Sequence, residues 1–168
     1  KKHNDDDRIP SEDDMKLILS QTEELGRLSR QRRMMFDHLF DFGKTSVKEI
    51  MTPSEKIVFV DINSSFEDII DTLSKFKFSR YPVKENGRYT GYIHIKDIVL
   101  NYKTFKSDGF KLSSFMKEIK SLKEKVPVER ALKYFQENQL QISLVENENK
   151  EVVGFLSVED IVEDLVGE

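Results

Sequence analysis

Two short segments of this 168-residue chain carry the same polar pattern. Gly154-Phe-Leu-Ser157-Val-Glu-Asp160 sets a hydroxyl and a carboxylate three residues apart behind an apolar run, and Gly91-Tyr-Ile-His94-Ile-Lys-Asp97 repeats it with an imidazole in place of the hydroxyl. Where such a run turns from strand into helix, the Ser157 hydroxyl and the open N–H groups of the first helical turn face outward together, a combination suited to phosphate. Asp160 then lies close enough to that helix end to accept two hydrogen bonds from a ribose diol. The same pair also resembles the Ser-x-x-Glu capping box of ordinary helices, and on these residues alone capping is the stronger reading. Two features favour a ligand: the Asp recurs in both segments, and the Gly ahead of each permits close approach of a backbone or a ligand.

No other residue set assembles a recognisable chemistry. There is no nucleophile with a neighbouring base, no framed pair of catalytic carboxylates and no Gly-rich phosphate loop followed by Lys and Ser/Thr, so the chain is expected not to be an enzyme. His3, His38 and His94 are scattered away from ligand spacing, which argues against a metal site. Zero Cys removes disulfides, thiolate catalysis and Cys-bound zinc, and fits a reducing compartment. A pI near 5.5, a net charge of −4 and no Trp argue against a general nucleic-acid binder. The longest uninterrupted apolar run, Ile57 to Val60, is far short of the ~20 residues of a membrane helix.

The elements that must position these residues follow from periodicity. Residues 1–14 are polar, with net charge −3, and read as the disordered acidic start of a piece cut from a longer protein. Residues 15–43 repeat apolar positions near helical spacing (Met15, Ile18, Leu19, Leu25, Leu28, then Met34, Met35, Leu39, Phe40), with Gly26 between two helices and Gly43 as a left-handed cap. Arg27, Arg30, Arg32 and Arg33 in this linker read as a solvated basic face. The remainder repeats itself with a period of about sixty. Gly91 to Val99 aligns with Gly154 to Val162 at an offset of 63, and Phe66-Glu67 with Val128-Glu129 at 62; the extra residue falls at Asn86-Gly87, a hairpin signal requiring positive φ twice.

Each copy, 44–105 and 106–168, reads as strand, helix, strand, hairpin, strand, helix. The first copy is expected to use Ile57 to Ile62, Ser65 to Phe76 with a Ser64/Glu67 capping box, Tyr81 to Lys84, Tyr89 to His94 and Ile95 to Tyr102. The second is expected at Ile119 to Leu122, a helix from Pro127, Ile142 to Val145, Val152 to Leu156 and Val158 to Val166. A unit of sixty residues is marginal alone, so the two halves are expected to share a core.

The repeated Gly-apolar-apolar-(Ser/His)-x-x-Asp segment resembles the closing strand-to-helix segment of the cystathionine-β-synthase (CBS) domain. Val47-Lys-Glu-Ile-Met-Thr52-Pro53, Phe78-Ser-Arg80-Tyr81-Pro82-Val83 and Val153 to Glu168 narrow the likeness. Together they look like the cytoplasmic CBS pair of the hemolysin-C/CorC family, related to the CNNM magnesium transporters. The resemblance implies an α/β fold, a tandem CBS pair of two βαββα repeats in pseudo-twofold arrangement behind a helical linker. It implies an adenine nucleotide (AMP, ADP or ATP, the last with Mg as its counterion), phosphate at Ser157, ribose at Asp160, and a cleft lined by Thr52, Arg80, Tyr81 and Pro82. Asp97 is the corresponding candidate in the first copy, where His94 replaces the expected Ser or Thr. The resemblance further implies a homodimer on the cytoplasmic face of a membrane, regulating a membrane domain of the same protein that transports magnesium or cobalt. Two alternatives stay open: a dimerisation module with an empty cleft, and a pair that binds S-adenosylmethionine.

Overall fold

The computed structural model describes residues 9–101 and 111–167. Residues 1–8 of the expected acidic start, and Tyr102 at the close of the first copy's last helix, lie outside them. The start shortens accordingly: Ser11 caps α1 (Glu12–Glu24) through a hydroxyl that accepts from Asp14 N–H at 3.2 Å, so Glu12, Asp13 and Asp14 are the helix's first turn. Acidic residues at a helix N-terminus are favoured by its dipole, so the acidity of these three residues suits a helix start as well as a tail. Ser29 begins α2 (Arg30–Phe42), which closes on Gly43 in right-handed rather than left-handed conformation (φ −71°). The two helices are joined by ion pairs, Lys16 to Asp41 at 3.5 Å and Lys44 to Glu12 at 2.7 Å, and Arg33 reaches both Glu23 and Asp37.

A single turn, α3 (Val47–Ile50), leads into β1 (Thr52–Pro53) and a 3-10 turn at Ser54–Lys56. The first copy continues as β2 (Val60–Asp61), α4 (Phe66–Phe76), β3 (Arg80–Glu85), β4 (Arg88–His94) and α5 (Ile95–Leu100). The second has a 3-10 turn at Leu112–Phe115, then β5 (Ser121–Lys123), α6 (Val128–Glu137), β6 (Ile142–Glu146), β7 (Val152–Ser157) and α7 (Val158–Val166). Asn86 and Gly87 both take positive φ, 49° and 78°, as the hairpin signal demands. The first strand is shorter than Ile57 to Ile62: Ile57 caps the 3-10 turn, and only Val60 and Asp61 pair with β3. The capping box of α4 lies one residue later than expected. Ser64 N–H closes a turn onto Asp61 C=O, leaving Ser65 and Asp68 to exchange the capping bonds.

The sheets are β2-β3-β4 and β5-β6-β7-β1, each with its first pair parallel and the rest antiparallel. The fourth strand of the second sheet therefore comes from the opening segment of the first copy. Reciprocally, Lys117, in the opening segment of the second copy, bridges Tyr92 at the free edge of the first sheet. This exchange generates the pseudo-twofold relation. It also replaces the shared core with two. One cluster gathers Ile69, Tyr81, Val83, Ile93 and Ile98 with Leu112; the other gathers Val128, Phe135, Val145, Leu156 and Ile161 with Phe42 and Val47. Each core is thus sealed by residues from outside its own copy.

The exchange relies on two glycines at the crossing. A Cβ on Gly154 would overlap the Met51 side chain and meet Thr52 O at 2.9 Å; one on Gly91 would meet Lys117 O at 2.6 Å. The close approach read from these glycines is therefore to backbone. Gly154→Ala should force β1 off β7 and cost about 1–3 kcal/mol. Urea unfolding at unchanged m-value measures this, and an unaltered midpoint would show that β1 is not held there.

Candidate nucleotide cleft between the two copies

β7 delivers its final residue, Ser157, to the start of α7, and the geometry there is a complete capping box. Ser157 Oγ accepts from Asp160 N–H at 3.1 Å, while Asp160 Oδ2 accepts from Ser157 N–H and from Ser157 Oγ, both at 2.7 Å. Val158 N–H is also engaged, donating to Gln141 C=O at 3.0 Å. Of the first-turn donors expected to cradle phosphate, only Glu159 N–H is left open among the described residues. Asp160 keeps its second oxygen, Oδ1, without a hydrogen bond among those residues and is held in one orientation by the first.

Ser157 and Asp160 line a cavity of about 320 Å³ built from both copies. Thr52, Arg80 and Pro82 line it as well, so five of the seven residues singled out in the sequence converge. Tyr81 does not: β3 alternates it into the first core, fully buried, where its hydroxyl oxygen accepts from Phe78 N–H at 2.8 Å. Burial pushes its phenol above the ordinary range, so it is a structural partner rather than a wall of this cavity.

Sequence reasoning missed the rest of the lining. Ile57, Phe78, Ile142 and Phe155 give apolar walls, with Phe78 stacked on Phe76 at 6.3 Å between ring centroids. Lys56 and Lys77 bring cations beside Arg80, facing Asp160 and Glu159. Lys77 is placed there as the left-handed C-cap of α4 (φ 55°). None of the three cations makes an ion pair among the described residues. Periodicity marks where a helix ends; it carries no signal for which copy its cap will face.

Asp97 lies outside this cavity. The pseudo-twofold relation carries Thr52, paired to Phe155, onto Lys117, paired to Tyr92. Lys117 Nζ reaches Asp97 Oδ2 at 2.8 Å, and this bond raises the ammonium above its ordinary range. The corresponding position of the first copy is therefore occupied by an internal ion pair. His94 takes over the cap of α5, its Nδ1 accepting from Lys96 N–H at 3.0 Å. No group of His, Asp and Glu able to hold a metal ion occurs among the described residues.

The CBS domain model matches residues 47–103 and again 112–167. The chain belongs to the CBS-domain family and carries the domain twice. More particularly, it is a CBS pair homologous to UPF0053, CorC and hemolysin C proteins. It is 29% identical over 162 residues to the UPF0053 protein YugS of Bacillus subtilis, covering 95% of this chain and 37% of that protein. With the magnesium and cobalt efflux protein CorC of Pasteurella multocida it shares 26% over 153 residues, covering 90% of this chain and 51% of that one. The chain thus spans about half or less of the length of these two relatives. The CBS domain of a bacterial CNNM/CorC family Mg2+ transporter superposes with a TM-score of 0.85 at 26% identity, covering 95% of this chain and 98% of the other. A CBS pair of Klebsiella pneumoniae with bound AMP gives 0.60 at 26% identity, covering 73% and 99%.

His94 provides a test of the closed first-copy position. Burial lowers the pKa of its imidazole, and the Arg80 charge lowers it further, so the folded chain takes up that proton less readily than the unfolded chain. The unfolded state binds more protons, so this group's contribution is present above its unfolded pKa and is lost as pH falls through the histidine range. Relative to His94→Asn, which keeps a capping acceptor, the wild type should lose stability between about pH 7.5 and pH 5. Urea midpoints of the two proteins across that range check the sign.

Proposed function

We propose that this chain is a regulatory CBS-pair module that binds an adenine nucleotide between its two copies and controls an attached membrane domain of the CorC type. The observation that carries the reading is the convergence of Lys56, Lys77 and Arg80, none of them ion-paired among the described residues, on a cavity with apolar walls and a fixed carboxylate. An apolar wall with Phe78 suits a flat base, Asp160 Oδ1 suits a ribose hydroxyl, and converging cations suit phosphate oxygens. The AMP held by the Klebsiella pneumoniae pair supports the ligand class. S-adenosylmethionine would bring a positive sulfonium centre toward the same cations, so the charge pattern disfavours it. More than one phosphate is expected to be engaged, with magnesium entering as the counterion of ATP. The homology to CorC supports placing the module beside an ion-transporting membrane domain, on its cytoplasmic face. Exposed Val99 and Leu100 on α5 and Val162 on α7 support a homodimer through these helices.

A ligand-free dimerisation module is the competing reading, favoured by the fact that the capping bonds alone account for Ser157 and Asp160 Oδ2. Thermal unfolding with AMP, ADP, ATP with and without magnesium, and S-adenosylmethionine separates the two. A nucleotide at 100 times its Kd adds ~2.7 kcal/mol, roughly 5–10 °C for a domain of this size. Asp160→Ala should lower the unliganded Tm by roughly 2–4 °C, the effect of a lost cap, and abolish the nucleotide shift. Lys77→Ala should leave the unliganded Tm in place and reduce the ATP shift more than the AMP shift. If no compound moves the wild type, the nucleotide reading falls and the dimerisation module stands.

A further inference from the structure

The helix that begins at the candidate cleft ends against the linker. α7 runs about 15 Å from Ser157 to Gly167, at 1.5 Å per residue. Gly167 caps it in left-handed conformation (φ 77°), and the space above its Cα is filled by the His38 imidazole of α2: any Cβ at Gly167 would coincide with that ring. One helical turn further along α2, Phe42 is buried in the second core beside Ile161 of the same α7. Burial pushes the Asp164 carboxyl upward against the opposing influence of His38, so the ring also lies within electrostatic reach of the exit face of α7. Toward its start α2 has no buried residue, and α1 has none at all; α1 is instead tied to α2 by the Lys16, Lys44 and Arg33 ion pairs.

We propose that His38, seated on Gly167, locks the α1–α2 hairpin to α7, so that the hairpin is an arm that moves with the helix starting at the candidate cleft. Phe42 is the fulcrum and His38 the key. A ring in contact with the terminal Gly, rather than with a flexible side chain, leaves no slack between α7 and the arm. Only the question of what displaces α7 rests on the nucleotide reading; the lock itself does not.

A double-mutant cycle on the whole chain tests the contact. Gly167→Ala forces a methyl into the ring, whereas in a His38→Ala background the space is vacated and only the cost of placing Ala at positive φ remains. The expected result is a clearly smaller loss of stability in that background; equal losses in the two backgrounds overturn the proposal. Hydrogen exchange of unliganded protein supplies the second reading. In His38→Ala, amides of α2 should exchange roughly tenfold faster while those of α6 stay unchanged, and an unchanged α2 overturns the lock. With ATP as the probe, protection at residues 157–161 accompanied by a change in α2 that disappears in His38→Ala supports the arm. Protection at 157–161 with no change in wild-type α2 overturns it. If ATP alters exchange nowhere, the nucleotide reading fails while the lock is still decided by the cycle and the unliganded exchange.

Discussion

The architecture depends on one close backbone crossing. Thr52 and Pro53 lie antiparallel to Phe155 and Gly154, and only hydrogen at Gly154 leaves room for Met51 and Thr52 to pass. Because of that crossing, the opening segment of the first copy becomes the edge strand of the second sheet, and Val47 and Phe42 are drawn into the second core. The cleft follows: Thr52, in the crossing itself, and Lys56 and Ile57, just past it, are carried onto the same cavity as Ser157 and Asp160. A unit with a single copy would have neither the edge strand nor the opposite wall. The chain solves the small-domain problem by exchanging opening segments rather than by merging two cores.

Helix capping and ligand binding look like rival explanations of Ser157 and Asp160, yet the geometry makes them sequential. Asp160 spends one oxygen on Ser157 and keeps the other, so the cap fixes the carboxylate in place before any ligand arrives. A preoriented acceptor loses less rotamer freedom on binding than a free side chain does. The same engagement removes Ser157 and most of the first-turn N–H groups as phosphate donors. In the proposed reading, anion recognition falls instead to Lys56, Lys77 and Arg80, which belong to the first copy. Recognition would then be divided between copies, and such a division is what allows one ligand to bias their relative orientation.

Much of this was legible in the sequence because it depends on local rules. The sixty-residue repeat, the Asn86-Gly87 turn and α7 from Val158 to Val166 all express period, turn chemistry or capping within a few residues of each other. Convergence of Thr52, Arg80, Pro82, Ser157 and Asp160 came from family resemblance rather than from spacing. Misplaced details share a cause as well: Ser64 lost the cap to Ser65 once its N–H closed the turn onto Asp61, and Tyr81 left the cleft because strand alternation sends it into the core. Lys56 and Lys77 were invisible for a deeper reason. Their role is set by the segment exchange, a long-range event that no window of neighbouring residues encodes.

The two halves are symmetric in backbone and unlike in charge. Where the edge of the second sheet is met by Thr52, a small neutral residue, the edge of the first sheet is met by Lys117, and its ammonium is already matched to Asp97 at 2.8 Å. Opening that position to an anionic ligand would require breaking the pair, whereas among the described residues no ion pair has to be broken around Lys56, Lys77 and Arg80. Repetition therefore supplies two equivalent positions, which differ in the residues at 94 and 157 and at 117 and 52. The open position lies at the head of α7, the helix whose far end meets His38 of the linker, and the ion-paired one lies at the head of α5. An asymmetric module of this kind can direct the effect of a ligand to one helix, which an equally occupied pair of sites could not do.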